Sequence, residues 1–396
     1  MRFASSISSA ADAEEAVDAL LDSINSQFTP GMADLAMLFI TPHFEDELED
    51  VVERISDAFP SAVLIGCTAE GTIGCNEELQ RGPSMSLLVG SLPDVAVRPF
   101  HIRQRHVESA ASLFDWERIV GVSPESRPTF VAFADPFRLN IPKFVDHINT
   151  MFLGAPLLGG VASAARAPGQ NRLICMGDIH CEGIVGVALA GHLTVDVLVS
   201  QGCRPIGWPL VITRGEGNVI HELGGRPALE QFYNVRMSLP RQDELLVRKG
   251  LLLGRVIDEH KDTFSRGDFL IHDIIGVDQK SGAFAISAYA RVGATVQFHV
   301  RDAATADEDL RVTLAPYQLK DVRGAMLFGC NGRGARMWPK AGHDARVLCE
   351  LLGEVPVGGF FCGGEFGPIG GNNYIHGFTA SIALFGEPQN ADQGAD

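Results

Sequence analysis

Apolar residues along this chain fall at two spacings, and the order of those spacings recurs. Leu35–Ile40 is an unbroken apolar run of strand length, followed by apolar positions 44, 48, 51, 52, 55 and 59 on one face of a helix. A second short strand at 62–67 runs into the turn-rich stretch Thr-Ala-Glu-Gly-Thr-Ile-Gly at 68–74, and a third apolar run occupies 85–90. The same order returns as a strand at 130–134, a helix at 141–152, the glycine-bearing stretch 156–163 and a strand at 183–191. A third copy comprises a strand at 325–329, a helix at 343–352, the glycine-bearing stretches 355–359 and 363–370, and a strand at 380–386.

From the strand phenylalanines Phe39, Phe133 and Phe328 to the glycines Gly66, Gly159 and Gly358, the separations are 27, 26 and 30 residues. A β-α-β crossover occupies about that length. The pattern predicts an α/β fold of two related domains, residues 1–220 and 221–396, with mixed sheets flanked by helices. The domains are expected to be built partly from repeated strand–helix–strand–Gly-loop–strand units, packed about an approximate two-fold. The glycine pairs are expected at the carboxyl ends of parallel strands, the edge where α/β sheets bind ligands.

Between the second and third copies the pattern changes. Residues 268–278 and 283–292 alternate like a hairpin, and 293–301 adds a strand. Asp302 is placed to N-cap a helix over 303–314, with Arg301 beside that helix N-terminus as a candidate anion contact. Shorter helices are expected from Pro227 and from Pro240 to Gly250.

Composition narrows the function classes. The 396 residues are 46% apolar and 20% charged, as in ordinary globular proteins, and the formal net charge is −17. With that charge and no basic run, binding to nucleic acid or to an anionic membrane surface is not expected. The longest weakly polar stretch, residues 153–165, is too short to cross a membrane, and the acidic N-terminus lacks the apolar region of a secretory signal. A cytoplasmic protein is expected. The 8 cysteines form no close-set pair, so neither a structural zinc site nor a disulfide framework is expected. No HExxH, phosphate loop or GxSxG elbow is present.

Several strings together resemble a known family. Gly-Cys-Thr-Ala-Glu-Gly (66–71) and Leu-Leu-Gly-Gly-Val-Ala-Ser (157–163) are similar to the FIST N-terminal domain. Gly-Asp-Phe-Leu (267–270), Phe-His-Val-Arg-Asp (298–302), Phe-Gly-Cys-Asn-Gly-Arg-Gly (328–334) and Gly-Gly-Glu-Phe-Gly-Pro (363–368) are similar to the FIST C-terminal domain. The resemblance implies a sensory module for small ligands such as amino acids, acting in signal transduction. About 30 residues precede the similar region and about 10 follow it, so signalling is expected to pass to a protein partner in trans. The family also implies haem-based nitric-oxide sensing as an alternative, although no histidine motif matches residue by residue.

The candidate ligand contacts follow from the glycine loops. Gly66-Cys67, Gly159-Gly160 and Gly358-Gly359 are expected to turn backbone N–H groups toward a ligand carboxylate. Asn331, Arg333 and Glu365 stand in glycine-flanked loops and offer a donor, a cation and an anion, a set that suits a zwitterion. Cys67, Cys330 and Cys362 are candidate ligand-facing thiols. A second alternative is an enzyme acting on a small metabolite through one of them, with His343 or His376 as the base.

Overall fold

The computed structural model describes residues 1–388. Its first compact unit comprises residues 1–199, 311–375 and 379–388; the second comprises Ser200–Leu310 with His376–Phe378. The third copy of the repeat, expected to build a sheet of the second domain, therefore packs with the first two copies. The boundary expected near residue 220 is not the boundary between compact units.

Three six-stranded sheets build the first unit, and their strand orders match position by position. The first runs Arg2–Ser8, Met85–Ser91, Leu35–Ile40, Val63–Thr68, Leu173–Cys175, Asp178–His180. The second runs Val95–Ile102, Ile184–Gly191, Thr129–Ala134, Leu157–Val161, Glu365–Ile369, Asn372–His376, and the third Thr194–Gln201, Thr379–Gly386, Gly324–Cys330, Val357–Cys362, Thr72–Gly74, Glu77–Leu79. The central pair of each sheet is parallel, as the crossover spacing requires.

The last two strands of each sheet come from a different copy. The hairpin of the first copy completes the third sheet, that of the second copy completes the first, and that of the third copy completes the second. The exchange closes on itself, so the unit has an approximate three-fold arrangement in place of the expected two-fold. The second unit interrupts the third copy, between Thr194–Gln201 and the helix Ala303–Leu314.

Helices cover the outer faces, and their apolar spacing shows why they form. Ala13–Gln27 is N-capped by Asp12, whose side chain accepts from Glu15 N, and it buries Ala16, Val17, Leu20 and Ile24. Leu48–Ala58 buries Leu48, Val51, Val52 and Ile55, and Ile141–Met151 buries Ile141, Phe144, Val145 and Ile148. The predicted helix over 44–55 begins later than expected, because Pro42–Phe44 takes a 3-10 turn first.

Inside the three sheets, Phe39, Phe133 and Phe328 converge, with ring centroids 5.1, 6.3 and 6.1 Å apart pairwise. Phe360 fills the space among them, 4.9, 5.6 and 5.6 Å from the three rings. Phe360 pairs with Phe328, while the corresponding partners of Phe39 and Phe133 are Cys67 and Gly160. One large and two small residues around a shared centre is what close packing demands there.

The second unit is a seven-stranded antiparallel sheet in the order Cys203–Glu216, Thr295–Arg301, Leu251–Val256, Phe269–Asp278, Ala283–Ile286, Val219–Leu223, Arg226–Pro227. Ile206, Ile220, Val235, Leu253, Phe284 and Phe298 lie in its core beneath the helices Ala228–Met237 and Arg241–Lys249. The expected hairpin of 268–278 with 283–292 is present, with its second strand ending at Ile286. Asp302 also acts as expected, accepting from Ala304 N. Among the described residues no helix is long and apolar enough to cross a membrane.

Candidate functional site

The parallel strand pairs deliver three loops to one place in the first unit. Phe361 N donates to Gly71 O at 3.0 Å, Val161 N to Gly364 O at 2.8 Å, and Gly363 N to Val161 O at 2.9 Å. Glu70 N donates to Ser163 Oγ at 2.9 Å, and Ser163 Oγ donates on to Phe361 O. Arg336 clasps Glu70 at 2.7 Å and the carbonyl of Asn331 at 2.7 Å. The three loops thus interlock.

The glycines themselves have another role than the one expected of them. Gly66 lies between Leu38 and Ile174, Gly159 between Ala132 and Phe366, and Gly359 between Leu327 and Ile73, each with a strand on both sides. Their backbones are spent in ladders. A Cβ on any of them would come within 2.1, 2.0 or 1.9 Å of the carbonyl oxygen on the parallel neighbour. The missing side chain permits close approach of chain to chain, so the picture of N–H groups freed for a carboxylate gives way to packing. At Gly358 an added Cβ would meet Leu88 at 2.6 Å, and at Gly160 it would meet the Cys362 sulfur at 2.6 Å.

Arg333 also departs from expectation. It is 0% exposed and grips Asp344 in a bidentate pair, Nε to Oδ2 at 2.7 Å and Nη2 to Oδ1 at 2.9 Å. It is a core cation and not a free loop arginine. His343 Nδ1 lies 2.9 Å from the same carboxylate, and its ring stacks on Trp338 with centroids 3.5 Å apart. The guanidinium and the His343 contact hold the Asp344 carboxyl well below its usual range against the opposing effect of burial.

Two buried carboxyls flank this pair. Glu78 accepts from Ala345 N at 2.9 Å, and burial together with the neighbouring Asp344 charge pushes its pKa up to about 7. Glu365 accepts from Thr379 Oγ1 at 2.7 Å, and burial pushes it up to about 8 despite that bond and the field of Arg333. Cys330 donates to Glu365, while burial raises the Cys67 and Cys362 thiols well above their ordinary range. Both are packed thiols held in the protonated form, which leaves no activated nucleophile in either.

Seven buried side-chain polar atoms among the described residues lack a protein partner, and five stand here. They are Glu78 Oε2, Asn331 Oδ1, Arg333 Nη1, Trp338 Nε1 and Glu365 Oε1. Native interiors leave few such atoms, so five together mark a site. Beside them opens a cavity of about 380 Å³, whose wall includes Glu78, Gln80, Ala335, Trp338 and Pro339. Gln80 Oε1 in turn accepts from Ala335 N, tying the hairpin Thr72–Leu79 to the turn Gly334–Arg336.

Arg301 is not part of this cluster. It belongs to the second unit, where its guanidinium lies 5.3 Å from the Phe378 ring centroid and contacts Lys249 O at 3.4 Å. His376 is likewise a buried residue of the second unit. Sequence reasoning missed Glu78, Trp338 and Asp344. Asp344 has a local signal, a carboxylate just inside a helix that follows Gly342, but nothing near Glu78 points to its burial.

The FIST N domain matches residues 34–226, and the FIST C domain matches residues 228–368. The chain belongs to the FIST family. FIST domains are sensory modules of signal-transduction proteins. The two matches meet between residues 226 and 228, and the FIST C match runs through both compact units. An uncharacterized protein of Mycobacterium tuberculosis is 37% identical over 388 residues, covering 97% of this chain and 100% of its own length. An uncharacterized Mycobacterium bovis protein is also 37% identical over 388 residues, covering 97% of this chain and 99% of its own. A cyanuric acid hydrolase from A. caulinodans aligns over 97% of this chain and 99% of its own with 10% identity and a TM-score of 0.33, too loose a likeness to carry chemistry.

Haem-based sensing, the family's alternative, asks for an axial His, Cys, Met or Tyr. None of the three cavities described, beside Trp338, between Ala13–Gln27 and Leu48–Ala58, and around Arg255 and Arg291, is lined by one.

Proposed function

We propose that this FIST protein is a cytoplasmic sensor whose small ligand, an amino acid or a metabolite of similar polarity, enters the cavity between Glu78 and Trp338. The supporting observation is the pairing of opposite orphans on one wall: Glu78 Oε2 is an acceptor and Trp338 Nε1 a donor, both buried and both without a protein partner. A ligand with an ammonium and a carboxylate satisfies both at once, and each such bond replaces an unmade one of high cost. The cavity, about 380 Å³, falls in the range of small-molecule sites. Arg333, behind Glu78, adds a positive field that favours the ligand's carboxylate. In this reading the occupied state is passed to a signalling protein in trans.

The reading leads to a thermal-shift screen of the full chain against amino acids and related polar metabolites. A binder at about 100 times its Kd stabilises the fold by roughly 2.7 kcal/mol. Glu78→Gln, which keeps shape and removes the charge, and Trp338→Phe, which removes the donor, are expected to weaken that binder about tenfold or more. A screen without any stabilising compound, or a binder whose affinity both variants retain, overturns the proposal.

A further inference from the structure

We propose that Cys75 and Cys349 are a thiol–disulfide exchange site, which a small-molecule disulfide oxidises to an intramolecular cystine. Their sulfurs lie 3.5 Å apart although the residues are 274 positions apart in sequence. Both side chains are half-buried, whereas Cys67, Cys175, Cys203, Cys330 and Cys362 are buried and Cys181 is exposed.

The local structure suits bond formation. Cys75 opens the two-residue turn of the hairpin Thr72–Gly74 and Glu77–Leu79, whose second turn residue, Asn76, has φ 61°. Cys349 lies in the helix His343–Leu352. A disulfide needs the sulfurs at about 2.05 Å, so they must close by roughly 1.5 Å. The tip of a hairpin can supply that shift without breaking the ladder behind it. The equivalent junction between the third hairpin and the helix Ile141–Met151 is held by Asn149 and Asn373, with bonds of 2.8 and 2.9 Å. An ordinary amide clasp stands there, and a thiol pair stands here.

Electrostatics divides the labour within the pair. Cys349 accepts from the Cys75 thiol and from Asn76 N, which bring its pKa down to about 7 against the effects of burial and Glu354. Cys75 is raised in turn. Cys349 is therefore the attacking thiolate and Cys75 the resolving thiol. The Cys349 thiolate attacks one sulfur of an external disulfide RSSR, forming Cys349–S–S–R and releasing RS⁻. Cys75 then gives up its proton, attacks the Cys349 sulfur and expels the second RS⁻. Two cysteine thiols are oxidised, RSSR is reduced to two RSH, and the two protons pass to the leaving thiolates through solvent. The new bond staples the hairpin that carries Glu78 to the helix that carries Asp344, yet the inference does not depend on ligand binding.

The test uses the reduced full chain equilibrated with oxidised and reduced glutathione, quenched in acid, alkylated, digested and weighed. The expected product links the peptides of Cys75 and Cys349 with loss of two hydrogens, and dithiothreitol reverses it. Cys75→Ala is expected to stop at the Cys349–glutathione mixed disulfide. It should also slow alkylation of Cys349 at pH 7 about tenfold, because the hydrogen bond that favours its thiolate is gone. The proposal is overturned if wild type accumulates that mixed disulfide without the internal link. It is equally overturned if both thiols stay free under glutathione ratios that modify Cys181.

Discussion

Replacing Arg333 by alanine separates a core role for this residue from a surface one. The substitution removes two charge-assisted hydrogen bonds, 2.7 and 2.9 Å long, and leaves the Asp344 carboxylate buried with only the His343 contact at 2.9 Å. Each such bond contributes about 1.5–3 kcal/mol, and orphaning one member of a buried pair costs about 3–5 kcal/mol. Arg333→Ala should therefore lower the stability of the first unit by about 3–5 kcal/mol. Two compact units complicate a single unfolding curve, so the assay is urea denaturation followed by tryptophan fluorescence in a Trp208→Phe background. The remaining indoles, Trp116 and Trp338, both report on the first unit. Arg333→Met combined with Asp344→Leu removes both charges and should recover most of the loss, a coupling of at least about 2 kcal/mol. A cost below about 0.5 kcal/mol for Arg333→Ala, typical of a surface site, refutes the buried-pair reading.

Other expectations follow from the same packing. Glu365 and Glu78, pushed by burial to about 8 and about 7 from an ordinary 4.5, hold protons in the folded state that the unfolded chain releases. Stability from these groups is fully present below about pH 4.5 and falls as pH rises toward 8; Glu365→Gln should flatten that fall, and urea midpoints at pH 5 and 8 that move in parallel for both proteins would refute it. Gly159→Ala, with φ 114° and a carbonyl 2.0 Å from the new Cβ, should cost at least about 3 kcal/mol, whereas Gly169→Ala, with φ 82° and open space, should cost about 1 kcal/mol. Equal costs by denaturant titration would remove the close-approach explanation. Phe39→Ala, at the centre of the three converging strands, should cost about 3–5 kcal/mol against little for Phe114→Ala, which is 72% exposed.

Much of the first unit is legible in the residues because its signals are local. Leu35–Ile40, Ile141–Met151 and the recurrence of glycine some 27 residues after a strand phenylalanine each lie within one crossover, and each appears where the pattern places it. Arg2–Ser8, with three serines breaking up its apolar residues, shows no comparable signal and is ordered by the ladder it forms with Met85–Ser91. The candidate site divides the same way. That Arg333 and Glu365 stand near the glycine loops is visible in sequence, but their burial is not, since a glycine-flanked arginine reads the same whether solvent or Asp344 receives it.

What the sequence by itself determined is the repeat, its crossover geometry and the FIST membership, all carried by spacings within a few tens of residues. What only the tertiary structure decided is which copy completes which sheet. The hairpin exchange among residues 72–79, 173–180 and 365–376 joins strands hundreds of positions apart. That choice brings Glu78 to Ala345, Cys75 to Cys349 and Trp338 to a shared cavity wall. Partners so distant leave no periodic trace in a single chain, because their meeting depends on backbone pairing and burial and not on any local preference.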